Sequence, residues 1–294
     1  MSNHSHDTAG QGWRNRPETK LVPVPSRNRI PERDVQSAPV LECRNLGIDF
    51  GGLTAVNDFD IAIGRTEIAG LIGPNGAGKT TIFNLLTRVY DPTRGTILLD
   101  GRDALRMNTP QLNQAGIART FQNIRLFKNL SVLENILIAL HQRSNYSLLD
   151  TFLRLPKYWR QEKEAREKAM DLLSIFHLQD LAEQEADSLP YGAQRRLEIV
   201  RALATNPKIL LLDEPAAGMN PSETTELMDN IVYIRDRFQI AIFLIEHDMN
   251  LVMGICEGIA VLNFGRIIAK GTPSEVSNDP AVIEAYLGKE ASHA

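Results

Sequence analysis

The chain has 294 residues, of which 43% are hydrophobic and 23% charged, a composition typical of a globular protein with a substantial core. Its formal net charge of -4 provides no broad basic field to attract nucleic acid, so we expect no nucleic-acid partner. The apolar runs are too short to span a bilayer, and a role at a membrane would therefore act through a partner.

Residues 1–38 differ in composition from the rest of the chain. They hold four prolines and five arginines mixed with acidic residues, and their few apolar residues recur with no period. Such a segment buries too little apolar surface to offset the entropy lost on ordering, so we predict a disordered N-terminal extension. We expect one folded domain over residues 39–288 and a short C-terminal tail over residues 289–294.

The chain has two cysteines, Cys43 and Cys256, which form no CxxC pair. This spacing argues against a disulfide framework or a zinc site, and it fits a reducing cytoplasm. We interpret both residues as packing thiols.

The first predicted elements are strands. Leu41–Phe50 and Ala55–Ile63 have the composition of strands and are separated by a turn at Gly51-Gly52. Glu67–Ile72 is a short apolar strand that runs into a glycine-rich loop and then into a helical stretch, Thr80–Val89.

A strand over Thr96–Asp100 is followed by a change in character. Between about Pro110 and Leu189 the sequence predicts helix, with an amphipathic pattern over Val132–Leu140. This stretch is long enough to form a helical subdomain, which we place at about residues 123–195.

The last third of the chain alternates helices with strands, which predicts a mainly parallel α/β core. The predicted elements are helix Arg195–Ala204, strand Ile209–Asp213, helix Pro221–Arg237, strand Ile240–Glu246, helix Met249–Ile255, a strand pair around Gly265 and helix Pro280–Leu287.

The segment GPNGAGKT matches the GxxxxGK[ST] phosphate loop in full and lies between a predicted strand and a predicted helix. Its glycines let backbone N–H groups approach an anion, and the following helix adds its positive end. We expect Lys79 to reach the β- and γ-phosphates of ATP, Thr80 to bind Mg²⁺ and Thr81 to donate to a phosphate oxygen. The alternative, a glycine turn that binds nothing, is disfavoured by this strand–loop–helix context. The predicted loop residues are Gly73, Pro74, Asn75, Gly76, Ala77, Gly78, Lys79, Thr80 and Thr81.

A second group of polar residues follows predicted strands of the same sheet. The apolar run Ile209–Leu212 places Asp213 at the carboxyl end of a buried strand, where α/β sheets bind ligands. We expect Asp213 to hold Mg²⁺ through water and Glu214 to act as the general base; as an alternative, both carboxylates only form a turn. His247 follows the next apolar strand, and we expect it to contact the γ-phosphate.

Two further motifs identify a family. Gln122, in RTFQN, resembles the Q-loop of the ABC ATPases, and LPYGAQRR at residues 189–196 resembles their signature motif. The resemblance covers about Val40 to Gly288. It implies an α/β fold, with a P-loop NTPase core, an antiparallel β part and a helical subdomain. It also implies that Gln122 serves Mg²⁺ and catalysis, that Phe50 stacks on adenine, and that Tyr191 and Gly192 contact ATP.

The resemblance implies partners as well. In this family two cassettes face head to tail, and each ATP lies between one phosphate loop and the other signature helix. We expect a second cassette, in a heterodimer, two transmembrane permease subunits and, indirectly, a substrate-binding protein. The expected location is the cytoplasmic face of the inner membrane, where the chain would be peripheral.

Four residues depart from the family pattern. Against LSGGQ, Pro190 replaces the serine, Tyr191 a glycine and Ala193 the glutamine, and Asn220 stands where an aspartate is usual. Proline provides neither a hydroxyl nor an N–H group, so one donor to the γ-phosphate is missing. If the partner cassette carries a serine there, we expect the ATP site completed by this signature to be the weaker one.

A closer resemblance is to the cassettes of branched-chain amino acid importers, through FGGLTAVND, RTFQNIRLF, LLLDEPAAGMNP, LIEHDMNLVMG and the terminal IEAYLG. It implies an ATPase that energises import of branched-chain amino acids. Alternatives are a motor for another substrate, such as urea or other amino acids, a non-transport ABC ATPase, and a regulatory module without hydrolysis. The chain contains one compact cassette, which argues against a non-transport ABC ATPase. Lys79 and Glu214 are both present, which argues against a regulatory module without hydrolysis.

Overall fold

The computed structural model describes residues 39–141 and 156–287. The predicted extension over residues 1–38 and the tail over residues 289–294 lie outside the described residues. Those two predictions, and the domain bounds that depend on them, stay predictions.

The secondary structure agrees with most of the predicted elements. The strands are β1 (Leu41–Phe50), β2 (Leu53–Ile63), β3 (Ile68–Ile72), β4 (Arg94–Leu99), β5 (Arg102–Asp103), β6 (Ile117–Arg119), β7 (Ile209–Asp213), β8 (Ala241–Ile245), β9 (Gly258–Asn263) and β10 (Arg266–Gly271). The helices are α1 (Lys79–Leu86), α2 (Thr109–Ala115), α3 (Val132–His141), α4 (Pro156–Ile175), α5 (Tyr191–Ala204), α6 (Pro221–Phe238), α7 (Met249–Ile255), α8 (Pro273–Ser277) and α9 (Pro280–Leu287).

Two sheets organise these elements. The first is antiparallel, with the order β2-β1-β4-β5, and its β1–β2 turn contains Gly51 at φ 60°, as the predicted Gly51-Gly52 turn requires. The second has the order β10-β9-β3-β8-β7-β6, in which only the β10–β9 pair is antiparallel. The parallel core and the strand pair around Gly265 are therefore confirmed.

Strand β6 corrects the prediction of helix between Pro110 and Leu189. Ile117, Ala118 and Arg119 pair in parallel with Ile209, Leu210 and Leu211 of β7. Three residues are too few to show a period, so only the pairing with β7 identifies this edge strand.

Two predicted helix boundaries were also wrong. Helix α1 ends at Leu86 instead of Val89, because Thr87 caps it and Arg88 takes a left-handed φ of 56°. Helix α5 begins at Tyr191, four residues before the predicted Arg195, with Pro190 at its N-cap. Within residues 39–141 and 156–287, no helix is both long and apolar enough to cross a membrane.

Strands β7 and β8 of the six-stranded sheet are buried on both faces. Leu211 and Phe243 belong to a cluster shared with α1 and the antiparallel sheet, whereas Leu210 and Leu244 belong to a cluster shared with the helices. Alternate side chains of one strand thus enter different cores, which explains why β7 and β8 are continuously apolar.

Helices α3, α4 and α5 pack on one another, at the position expected for the helical subdomain. Ile136, Leu173 and Leu197 contribute one buried residue from each helix. The bounds of about 123–195 stay a prediction, because α5 continues to Ala204 and packs in the same cluster as the sheet.

Both cysteines are buried and free. Burial raises the pKa of the Cys43 and Cys256 thiols, so neither has the exposed, acidic character of a reactive cysteine. Their positions agree with the packing role that we predicted.

Candidate nucleotide site

The phosphate loop connects β3 to α1 and is held between two other strands. Gly73 has φ 151°, and a Cβ there would lie 2.0 Å from the backbone oxygen of Leu262 in β9. Gly78 has φ 104°, and a Cβ there would lie 3.0 Å from the backbone oxygen of Ala55 in β2. Both glycines are therefore required by the close approach of neighbouring backbone, which brings the loop to the edge of the sheet.

Lys79 is the first residue of α1, and its ammonium group folds back over the loop. Its Nζ donates to the backbone oxygens of Gly73 at 2.6 Å and Pro74 at 3.1 Å. The N-cap residue, Gly78, has no side chain to cap the helix, so the first-turn N–H groups face a position suited to an anion. A cation and helix-end donors therefore converge where a phosphate is expected, and these residues fit ATP.

The two predicted threonines lie in the first turn of α1. Thr80 is exposed and Thr81 is half-buried. Thr80 is therefore open to the solvent side of the loop, and its role toward Mg²⁺ stays a prediction.

Asp213 ends β7 at the expected edge of the sheet, where it forms a buried ion pair with Arg119. Its Oδ2 accepts from Nη2 of Arg119 at 2.8 Å, and Nη1 of Arg119 donates to Asn84 Oδ1 at 2.8 Å. Sequence reasoning missed Arg119 because it did not recognise β6. The available signal was its place as the first residue of the RTFQN segment.

Glu214 and Gln122 come together, although they lie on different segments. The Glu214 carboxylate accepts from Nε2 of Gln122 at 3.0 Å. Glu214 has a left-handed φ of 48°, and its N–H donates to the backbone oxygen of Ile245 at 2.9 Å. A left-handed conformation is sparsely populated by non-glycine residues, and at Glu214 it is held by this backbone hydrogen bond to the neighbouring strand.

His247 emerges after β8, the strand next to β7, as predicted. Its side chain is 67% exposed, and Nδ1 lies 3.7 Å from Glu246 Oε2. The buried Glu246 carboxylate accepts N–H groups of Ala216 at 2.8 Å and His247 at 3.0 Å. Burial raises the pKa of Glu246, and these backbone hydrogen bonds oppose that rise. Glu246, which sequence reasoning missed, thus connects the loop after β7 to His247.

Phe50, the predicted adenine contact, ends β1 and is partly exposed. Its ring packs edge-to-face on Tyr90, with centroids 5.3 Å apart and an interplanar angle of 78°. Tyr90 lies just after α1, the helix that follows the phosphate loop. The ring pair therefore connects the antiparallel sheet to the C-terminal end of α1. No motif in the sequence pointed to Tyr90.

The signature residues begin α5 and pack against α6 and the loop before it. A Cβ on Gly192 would lie 3.0 Å from Glu223 Oε1, and a Cβ on Gly218 would lie 3.1 Å from the Tyr191 ring. Asn220, which replaces the usual aspartate, caps α6 with its side chain. The structure therefore brings the signature motif against the start of α6 and the loop before it.

Comparison with known families agrees with this geometry. Residues 56–217 match the family described as ABC transporter, and residues 266–292 match that described as Branched-chain amino acid ATP-binding cassette transporter. The chain is 46% identical, over 253 residues, to the high-affinity branched-chain amino acid transport ATP-binding protein BraF of Pseudomonas aeruginosa, covering 86% of this chain and 99% of that protein. It is 47% identical to LivG of Escherichia coli K12, a protein of the same description, with the same coverage.

Solved structures agree as well. One is an ATP-binding cassette of an ABC transporter, solved in its ADP conformation. It is 30% identical in sequence to this chain and superposes with a TM-score of 0.74, and the match covers 86% of this chain and 100% of the solved one. These similarities confirm the predicted P-loop fold with its antiparallel and helical parts. The chain belongs to the ATP-binding cassettes of ABC transporters, a family that binds nucleotide, and it is an ATPase coupled to transport.

Proposed function

We propose that this chain energises the import of branched-chain amino acids through partner permeases. The observation that carries the proposal is the similarity to two branched-chain amino acid transport proteins along 99% of their length. The separate C-terminal match over residues 266–292 supports the same class of cargo. The cassette itself does not contact the cargo, so the proposal rests on this similarity and not on a cargo-binding residue.

ATP binding is supported by the convergence of donors at the phosphate loop. In the proposed complex, the Lys79 ammonium and the backbone N–H groups of the loop hold the β- and γ-phosphates. Thr81 donates to a phosphate oxygen, and Phe50 stacks on the adenine with Tyr90 behind it. Mg²⁺, when bound, neutralises phosphate charge, and we assign its ligands to Thr80, Gln122 and Asp213.

Hydrolysis requires a base next to the attacking water, and Glu214 is the residue that we assign to it. The Gln122 amide, 3.0 Å from the Glu214 carboxylate, restricts its orientation. His247, mostly exposed after the neighbouring strand, contacts the γ-phosphate. Positioned general bases contribute about 10²- to 10⁴-fold to rates, which sets the expected loss when Glu214 is neutralised.

The proposed assembly contains a second, different cassette that faces this one head to tail. The start of α5, with Tyr191 and Gly192, then completes the ATP site of the partner, while the partner signature completes the site at Lys79. Two permease subunits, which receive substrate from a binding protein, place the chain at the cytoplasmic face of the inner membrane. If the partner cassette carries a serine at the position of Pro190, the site completed by this signature is the weaker one.

The test is uptake by a strain that lacks this gene and carries either the wild-type chain or Glu214→Gln. We expect the wild type to restore uptake of labelled leucine, isoleucine and valine, and Glu214→Gln to bind ATP yet abolish uptake and hydrolysis. Glu164→Gln, on the exposed face of α4, is the matched control and should restore uptake fully. Restored uptake of urea or another amino acid, with no effect on branched-chain amino acids, would contradict the proposed cargo.

A further inference from the structure

Helix α5 carries two buried charged residues, one within the signature motif at residues 189–196 and one just after it. Arg195 and Glu198 are at most 1% exposed, and Arg195 Nη1 lies 2.9 Å from Glu198 Oε2. Buried ion pairs lose the hydration of both charges, so such a pair is a weak source of stability and needs another explanation. The groups that surround it provide that explanation.

Arg195 binds the backbone of the two carboxylate residues at the end of β7. Its Nη2 donates to the backbone oxygens of Asp213 and of Glu214, both at 2.6 Å. The planar guanidinium thereby fixes two successive peptide groups at the position where Glu214 takes its left-handed conformation. A lysine ammonium would carry the same charge but not this fork of donors.

The same pair also binds the segment that contains Gln122. Arg195 Nη1 donates to the backbone oxygen of Phe121, and Glu198 Oε1 accepts the N–H groups of Phe121 at 3.3 Å and Arg125 at 3.2 Å. Backbone on both sides of Gln122 is therefore anchored to α5. Gln122 and Glu214, whose side chains are 3.0 Å apart, are therefore both held in place by the Arg195–Glu198 pair.

We infer that Arg195, supported by Glu198, is a positioning residue for ATP hydrolysis: it holds Glu214 and Gln122 in register with the signature helix. Arg195 lies about one helical turn, roughly 6 Å, from Tyr191 and Gly192. When the N-terminal end of α5 shifts, Arg195 shifts with it. The hydrogen bonds from Arg195 to the backbone oxygens of Asp213 and Glu214 then move the Glu214 carboxylate of the same cassette. This inference rests on the proposed role of Glu214 as the base.

The test compares four variants in the complete transporter, purified through a tag on this chain and reconstituted in liposomes; the fourth, Glu214→Gln, is the reference for the proposed base. The double variant Arg195→Met/Glu198→Met removes the pair without leaving one buried charge alone, and Arg195→Lys keeps the charge without the fork. Arg235→Met is the matched control, because Arg235 is also fully buried and donates to Thr66 and Glu257, away from the site.

We expect the double variant to lower kcat about 100-fold, since a misplacement of about 1 Å can cost that much, while KM for ATP stays within about threefold. Arg195→Lys should recover part of kcat. Arg235→Met should lower the unfolding temperature yet keep kcat within about threefold of the wild type. If the double variant fails to assemble, Arg195→Lys decides the question: a kcat at least about tenfold below wild type, at unchanged KM, supports the inference.

Two results would overturn the inference. One is a kcat for the Arg195 variants no lower than that of Arg235→Met, and the other is a parallel change of kcat and KM. Glu214→Gln in the same assay separates this failure from that of the proposed function. If Glu214→Gln is inactive while the Arg195 variants are active, only the positioning role fails; if Glu214→Gln hydrolyses ATP normally, the role of Glu214 fails as well.

Discussion

The side-chain amide of Gln122 donates to the carboxylate of Glu214 at 3.0 Å, across 92 residues of sequence. Gln122 follows the edge strand β6, and Glu214 follows β7, to which β6 is paired. The segment that leads into the helices therefore contacts the carboxylate proposed to act as base. A movement of the Gln122 segment therefore changes the position of the Glu214 carboxylate.

Replacement of Gln122 by Ala tests whether this contact serves hydrolysis. We expect kcat for ATP to fall about 10-fold or more, because the carboxylate loses the donor that restricts it, while the Kd for ATP changes little. Steady-state hydrolysis and binding of a fluorescent ATP analogue measure the two quantities. Gln184→Ala, an exposed glutamine of the helical part, is the control. An unchanged kcat in Gln122→Ala would remove Gln122 from the catalytic set.

Replacement of Pro190 by Ser tests the departure in the signature motif. Pro190 is the N-cap residue of α5 and makes no side-chain hydrogen bond there. A serine would supply a cap for the helix and a donor for the γ-phosphate held by the partner cassette. We expect turnover of the assembled transporter to rise by up to about tenfold, as measured by phosphate release.

Pro273→Ser is the control for that experiment. Pro273 also begins a helix, but Thr272 already caps α8, because its Oγ1 accepts the N–H of Glu275. Its replacement should leave turnover unchanged. Equal turnover for wild type and Pro190→Ser would show that the missing hydroxyl does not limit this site.

The ion pairs of Asp100 lead us to predict that the stability of the fold depends on pH. Asp100 follows β4, and its two partners lie just before β3 and β7, at the amino ends of those strands. Its carboxylate lies 2.5 Å from both Arg65 Nη2 and Lys208 Nζ, and these hydrogen bonds lower its pKa to about 2. Because the folded-state pKa is depressed, the stabilisation is present above the unfolded-state pKa, about 4, and is lost as pH falls toward 2. Since the carboxylate is partly solvated and its partners are exposed, we expect at most about 1 kcal/mol.

Urea unfolding between pH 3 and pH 7 measures this contribution. Asp100→Asn should lower the free energy of unfolding at pH 7 by that amount and reduce the loss of stability on acidification. Asp171→Asn, at an exposed position of α4, should follow the wild type at each pH. Identical pH profiles for Asp100→Asn and wild type would contradict the assignment.

The phosphate loop and the end of β7 were predictable because each chemical group sits in one continuous motif. The apolar run before Asp213 fixes a buried strand, and the strand fixes where Asp213 and Glu214 emerge. Lys79 follows from the same logic, since the loop that precedes it requires a strand on one side and a helix on the other. Local sequence therefore defined this half of the site.

The supporting residues were not predictable from local sequence. Arg119 lies on a three-residue strand that exists only through its pairing with β7. Arg195 stands within a motif on an amphipathic helix, where charged side chains are usually solvated. Its burial follows from the meeting of two loops, around Phe121 and Glu214, that are far apart in sequence. Such convergence becomes visible only in three dimensions.

Asn220 yields the last prediction, because it occupies a position where aspartate is usual. Asn220 Oδ1 accepts the N–H groups of Ser222 and Glu223 at 3.0 Å, and Glu223 Oε2 accepts the N–H of Asn220 at 3.0 Å, which completes a capping box on α6. Asparagine and aspartate cap helices about equally well, so Asn220→Asp should keep the free energy of unfolding, whereas Asn220→Ala should lose about 1 kcal/mol in urea unfolding. Thr272→Ala, which removes the matching cap of α8, provides the reference loss. If Asn220→Asp destabilises the chain as much as Asn220→Ala does, the side chain is selected by a contact other than the cap, and the loop before α6 is the place to seek it.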